Sequence, residues 1–324
     1  MDESRTTLQG QADPEAGSSG RRNSRLGAVG GISLVLLGLL GGAWLAWGYL
    51  LSEPAVEISR PEIHEAGVAD RSEATERPLE PLVWPSDQPL TGQPAKELLL
   101  RFVQAAVSKL ESVPAYTASL IRQERIDGKL GPEQKIQLKV RHQPFAVYMR
   151  FVEPDAGKEA IFAEGSHDDH VVAHGGGLTR LLVPHLKVPP RSRLALNGNR
   201  HPITEAGLLN LARKLVRFRE LDMEDDDAET VLDRVVDSAG RQWLRSIHTH
   251  TIQTDDRPFA YVEILYDPAT SLPSRIHSYE WPGKAGDSDR PLAERYEYQD
   301  LNLDAELSEQ DFDYRNPNYN YKRF

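Results

Sequence analysis

Residues 136–151 read IQLKVRHQPFAVYMRF. Ile136, Leu138 and Val140 alternate with Gln137, Lys139 and Arg141, and Val147, Met149 and Phe151 alternate with Tyr148 and Arg150. Side chains two apart share one face of a strand, so each run predicts a half-buried strand with an apolar row turned inward. Before this stretch, Tyr116–Ile126 reads as a strand closed by the Asp127-Gly128 turn. After it, Pro154–Gly157 reads as a turn, and Val171–Ala173 as a strand ending in Gly175–Gly177. Strands joined by such short turns are antiparallel.

Farther out the period changes. Leu99, Phe102, Val103, Ala106, Val107 and Leu110 recur at three- and four-residue spacing, which predicts an amphipathic helix with Lys96, Glu97, Arg101, Gln104 and Lys109 facing water and Pro114 marking its end. A second helix is expected from about Thr204 to Arg219, with Leu208, Leu211, Leu215 and Phe218 on one side and Pro202 near its start. The acidic run Met223–Glu229 returns the chain to solvent. Further strands are expected at Trp243–Gln253, Phe259–Tyr266, Arg275–Trp281 and Glu294–Leu303, with Asp267–Pro273 as a hairpin connection. Strand and helix do not alternate regularly, so the class is α+β with a mainly antiparallel sheet.

The first quarter of the chain has a different composition. Leu26–Leu51 contains no charged residue, and its 26 residues would span roughly 39 Å as a helix. That length crosses a bilayer core of about 30 Å. Arg21, Arg22 and Arg25 precede it, which puts the N-terminus in the cytoplasm, and Trp44, Trp47 and Tyr49 gather at the outer end as interfacial rings do. The run is longer than the apolar core of a cleaved signal peptide. Gly27, Gly31, Gly38 and Gly42 lie near one helix face, a pattern seen in dimerising spans and also expected from glycine's frequency in membrane helices. Residues 1–25 read as a disordered cytoplasmic tail. Residues 52–94 hold seven prolines, nine acidic residues and three arginines and read as an extended linker. Residues 95–324 are expected to form a globular extracytoplasmic domain.

A net charge of −11 without a basic cluster argues against nucleic acid as a partner. The absence of cysteine removes disulfides, thiolate metal sites and a cysteine nucleophile. His167, Asp168, Asp169, His170 and His174 hold the ligand types of a zinc or other divalent site. No His-Glu-x-x-His pattern accompanies them, and the segment runs into a triple glycine that suits a hairpin, so a solvated turn or strand stands beside the metal reading. Gly165-Ser166-His167 lacks the context of a nucleophile elbow, and no Lys-Ser/Thr pair makes a phosphate loop of the glycines. Lys139, Arg141 and Arg150, with Arg122 and Arg125, would either meet anionic head groups or serve as an ordinary solvated face. Tyr279, Trp281, Tyr296 and Tyr298 alternate at strand spacing, as core or as groove lining.

Tyr116-Thr117-Ala118, Arg122-Gln123-Glu124-Arg125, Val147–Phe151 and Asp311-Phe312-Asp313-Tyr314-Arg315-Asn316-Pro317 resemble the bacterial domain-of-unknown-function family numbered 1571, over about Ala95–Phe324. These motifs carry no known chemistry. More distantly, the opening helix, the long antiparallel strands and the Asp-Pro-x-Thr-x-Leu-Pro hairpin are similar to the periplasmic lipoprotein-carrier fold, in which a curled sheet wraps helices around an acyl-chain cavity. That resemblance implies binding rather than catalysis, and no cofactor. The anchor and acidic linker depart from soluble carriers and point to a tethered carrier or receptor. The expected protein is single-pass in the bacterial inner membrane, its C-terminal domain periplasmic, holding a lipid or acylated ligand against Ile136, Leu138, Val140, Val147, Met149 and Phe151. The rival expectations are a metal-dependent hydrolase using His167, Asp169, His170 and His174, and a cell-envelope module that recruits a protein partner.

Overall fold

The computed structural model describes residues 83–86, 88–177, 185–283 and 290–321. All fall in the second of two compact units, Glu62–Phe324. The expected tail, transmembrane helix and most of the linker lie outside the described residues, among which no helix is long and apolar enough to cross a membrane.

Period-two alternation becomes strand where it was expected. The described residues form thirteen strands of one sheet: β1 (Leu90–Thr91), β2 (Ala115–Ile126), β3 (Lys129–Leu130), β4 (Gln134–Arg141), β5 (Ala146–Glu153), β6 (Glu159–Ala163), β7 (Val171–His174), β8 (Leu186–Val188), β9 (Glu229–Val236), β10 (Gln242–Thr249), β11 (Tyr261–Tyr266), β12 (Pro273–Tyr279) and β13 (Leu292–Asn302). The spatial order is β1-β9-β10-β11-β12-β13-β2-β4-β5-β6-β7-β8, with β3 hairpinned onto β2. Every pairing is antiparallel. The halves β9–β13 and β2–β8 meet where Tyr296 pairs with Arg122 and Tyr298 with Leu120.

Two helices, α1 (Gly92–Glu111) and α2 (Leu208–Met223), pack on the inner face of this open, curled sheet. The apolar stripe of α1 meets β9–β12 through Leu99, Phe102 and Val103 against Leu232, Leu244, Ile264 and Tyr266. Each fully buried large apolar side chain contributes about 1.5–3 kcal/mol. The start of α2 is fixed by Tyr116, whose hydroxyl accepts from Leu208 N–H at 2.8 Å. Gly207 just before it has φ of +98°, and a Cβ there would lie 3.1 Å from the Tyr116 hydroxyl. This turn moves the helix start from about Thr204 to Leu208, and Ile203–Glu205 form a 3-10 turn instead.

The linker boundary moves as well. Trp84 is 3% exposed, donates from Nε1 to Asp233 O at 2.7 Å and meets Phe102 edge-on with centroids 4.8 Å apart. Leu90 and Thr91 pair with β9, so the folded domain begins ahead of residue 95. Lys96, expected in water, is buried, and its Nζ donates to Asp225 O at 2.7 Å. Five strands escaped the sequence reading: the short β1, β3 and β8, and also β6 and β9. All five residues of β6 are buried, which erases the alternation, and β9 follows directly on an acidic run.

The outer face of β5 is covered rather than solvated. After β13 the chain returns across β4–β7 through a 3-10 turn, Glu309–Phe312, and its Phe312 and Tyr321 are buried with Tyr148, Ile161 and Val172. Lys139 donates to Asp311 at 2.7 Å and Arg141 pairs with Glu309, so both basic residues meet this segment, while Arg150 stays exposed.

Candidate functional site

The inner row of the sheet is not filled along its whole length. Where α1 no longer covers it, α2 and the strands enclose a cavity of about 760 Å³, partly open to solvent. Sites for small ligands measure about 300–1,000 Å³. Leu120, Leu138, Met149 and Phe151 form one wall, Val171 and Val188 extend it, and α2 contributes Leu211, Leu215 and Phe218. Of the six residues expected to line a site, Leu138, Met149 and Phe151 do so. Ile136, Val140 and Val147 share their face but are fully buried in the core, with Tyr116 and Leu208 in the same cluster.

Two polar clusters bound the cavity. In the first, Glu124 and Glu294 are paired residues on β2 and β13. Tyr296 Oη donates to Glu124 Oε1, Arg200 N–H donates to Glu124 Oε2 at 3.0 Å, and His201 Nε2 lies 2.8 Å from Glu294 Oε2. Burial would raise the Glu294 pKa, but the His201 hydrogen bond with the charges of His201, Lys214 and Arg200 holds it below the usual carboxylate range. Burial, together with the neighbouring carboxylates Glu294 and Glu124, pushes the Tyr296 phenol upward. These contacts fasten the connection between β8 and α2 to the sheet.

The second cluster lies between the C-terminal end of α2 and β10. Arg219 Nη2 is 2.9 Å from Asp222 Oδ2, Arg257 Nη2 is 3.2 Å from Asp222 Oδ1, and His250 Nε2 is 3.1 Å from the same oxygen. Burial opposes ionisation of Asp222, yet His250, Arg219 and Arg257 together lower its pKa. His248 is fully buried, and burial followed by the charges of Arg219 and His250 pushes its pKa far below the ordinary value. Its Nε2 is 3.1 Å from Ser246 Oγ, which gives Ser246, His248 and Asp222 the order of a nucleophile, base and orienting acid. Ser246 and His248 are both 0% exposed and neither lines the cavity, and His248 Nδ1 stands 3.9 Å from Asp222, beyond hydrogen-bond reach.

The histidine and aspartate segment is dispersed. His167, Asp168 and Asp169 all have positive φ, a left-handed turn that Asp and His tolerate better than most residues. His167 Nε2 is 3.3 Å from Phe312 O, and Asp169 Oδ1 accepts from Gly165 N–H at 2.7 Å. His170 Nδ1 faces Asp168 O, and His174 Nε2 is 3.2 Å from buried Glu159. Among the described residues no group of three His, Cys, Asp or Glu is placed to hold a metal ion. Glu159 also accepts from Asn320 Nδ2 at 2.9 Å, and these hydrogen bonds outweigh its burial and lower its pKa.

The sequence reading missed Arg219, Asp222, His248, His250 and Arg257. One signal was present: Arg219 follows Leu215 by four residues and so stands in the inward stripe of α2.

A comparison with curated proteins finds no match. Among solved structures, an uncharacterized conserved protein from Thermus thermophilus is 13% identical, over 65% of this chain and 91% of that one, with a TM-score of 0.36. The Mycobacterium tuberculosis lipoprotein LppX is 12% identical, over 67% and 100%, with a TM-score of 0.38. A LolA superfamily protein from Nitrosomonas europaea is 11% identical, over 65% and 97%, with a TM-score of 0.27. At these scores the likenesses carry no argument about what this chain does. The model of the family described as "Protein of unknown function (DUF1571)" matches residues 113–321, from the approach to β2 through the segment that covers the outer face. With that span matched, the chain belongs to the DUF1571 family.

Proposed function

We propose that this DUF1571 chain is a non-enzymatic, membrane-tethered binding domain that holds a lipid, an acylated segment or another apolar ligand between its sheet and α2. The observation that carries this reading is the cavity of about 760 Å³ with a mainly apolar wall, in a sheet whose inner face is otherwise closed by its own helices. Leaving Leu186, Val188, Leu211 and Phe218 half-buried beside open space forgoes burial that a ligand would supply. The uncharged run Leu26–Leu51 with arginines before it supports a signal anchor that places the domain on the periplasmic side of a bacterial inner membrane.

The test is organic extraction of the full chain purified from its own membranes, beside Met149→Glu. The wild type is expected to yield an acyl compound at near-stoichiometric amount. The variant, with a carboxylate on the cavity wall, should yield none while keeping its circular dichroism. Undiminished ligand in a folded Met149→Glu protein rejects this placement.

A further inference from the structure

The apolar wall of the cavity ends at two guanidinium groups whose hydrogen bonding is incomplete. Arg219 is 4% exposed and Arg257 6%. Each turns one nitrogen to Asp222, and Arg257 adds a contact of 3.0 Å to Asp225. Arg219 Nε and Nη1 and Arg257 Nη1 are buried and have no partner among the described residues. Both side chains line the cavity. Charged N–H donors withdrawn from water and left unmet are costly, and native proteins leave few of them without an acceptor. The rest of this rim also favours an anion. Arg213, Lys214 and Arg217 line the same cavity, although Arg213 is paired with Glu111 at 2.8 Å and Asp256 lies 3.8 Å from Arg217. Glu124 and Glu294, in the other polar cluster, are already engaged by Tyr296, Arg200 and His201. A guanidinium presents its donors in a planar fork that matches two oxygens of a carboxylate or phosphate.

We infer that the cavity's ligand is an amphiphile with an anionic head, whose oxygens accept from Arg219 and Arg257 while its alkyl chain runs past Phe218, Leu215 and Leu211 toward Met149 and Phe151. This rests on the lipid-binding reading given above and adds the head-group chemistry to it.

The full chain, in membranes of the cells that express it, is offered photoreactive palmitate, its methyl ester, and a photoreactive lysophosphatidate of the same chain length, and the crosslinks are mapped by peptide mass spectrometry. At least one of the acids should label the α2 and β5 peptides about tenfold more than the ester does, the scale of one charge-assisted contact. The more heavily labelling acid identifies carboxylate or phosphate as the preferred head. In Arg257→Gln and Arg219→Gln the ester should label as before and the preference for acid should fall. Equal labelling by acids and ester in the wild type overturns the head-group inference and leaves the cavity reading standing. No labelling of these peptides by any probe overturns both. Displacement of palmitate by inorganic phosphate alone would make this a free-anion site and overturn the amphiphile. A folded variant that keeps the full preference removes the assignment to that arginine. If neither variant folds, the wild-type comparison decides.

Discussion

The two faces of β5 are built from alternate residues of one short strand, yet they end in opposite states. Outward, Tyr148 stacks on Tyr319 with centroids 4.1 Å apart and planes 8° from parallel, and Glu159 beside it holds Asn320 and His174. Inward, Met149 and Phe151 line a cavity that also reaches buried arginine donors without partners. The outer face is closed by the chain's own C-terminal segment, and Lys139, Glu159 and Tyr319 find partners there as they are buried. Stability and ligand capacity are thus assigned to opposite sides of one strand, and substitutions on the two sides should separate them.

Tyr148→Ala should have the largest effect, a loss of about 3–4 kcal/mol in unfolding free energy, because a buried ring and its stacking partner are both uncovered. Urea unfolding of the full chain checks it, and a loss below about 1 kcal/mol would break the contrast between the faces.

A second, smaller effect comes from acid acting on the inner polar cluster. His248 has its pKa depressed by burial, then by Arg219 and His250. Below about pH 6.5 the unfolded chain takes up a proton that the folded site refuses, so stability falls as pH falls, by about 1.4 kcal/mol per unit, until the folded pKa is reached. Glu297, held at about 2 by hydrogen bonds from His277 and Arg295 that outweigh its burial, contributes in a lower window. Its share is present above the unfolded carboxylate value, near pH 4.3, and is lost as pH falls toward 2. Unfolding midpoints at about pH 7.5 and 5.5 should therefore differ in the wild type and differ less in His248→Gln, where His142 and His185, also lowered by burial, keep a residual slope. An unchanged slope would show that His248 is not the group responsible.

The smallest effect belongs to the cavity wall. Leu186→Ala should cost less than about 1 kcal/mol, because this half-buried side chain already borders open space and its removal enlarges a void without creating one. Ligand retention should nonetheless fall. A Leu186→Ala protein as destabilised as Tyr148→Ala would mean that the wall belongs to the packed core.

Much of this arrangement was legible before any coordinates. Both helices and the strands β2, β4, β5 and β10 through β13 follow from hydrophobic period, since each repeats its apolar residues along one face or one stripe. The closure of the outer face was not legible. Phe312, Tyr319 and Tyr321 come from a segment without a period, so nothing local announces what they cover. The inner row gave six equivalent candidates because Ile136, Val140 and Val147 have the same parity as Leu138, Met149 and Phe151, and only the position of α2 separates filled from open. The His167–Asp169 segment drew a metal reading because the residues that ligate metals overlap with those that accept a left-handed backbone. Arg219 lay inside an apolar stripe and His248 in a strand row shared with Ser246 and His250, and neither pattern carries an address for the partner on the other element.

The pairing of β13 with β2 joins strands at opposite ends of the folded region, Ala115–Ile126 and Leu292–Asn302. Chain closure over such a separation is slow relative to forming the local hairpins on either side. During synthesis the β2–β8 half emerges first, and its central edge waits unpaired until the final strand has left the ribosome. The seam at the middle of the finished sheet is therefore the last strand pairing the growing chain can make, and until then that edge is the part of the nascent protein most open to wrong partners.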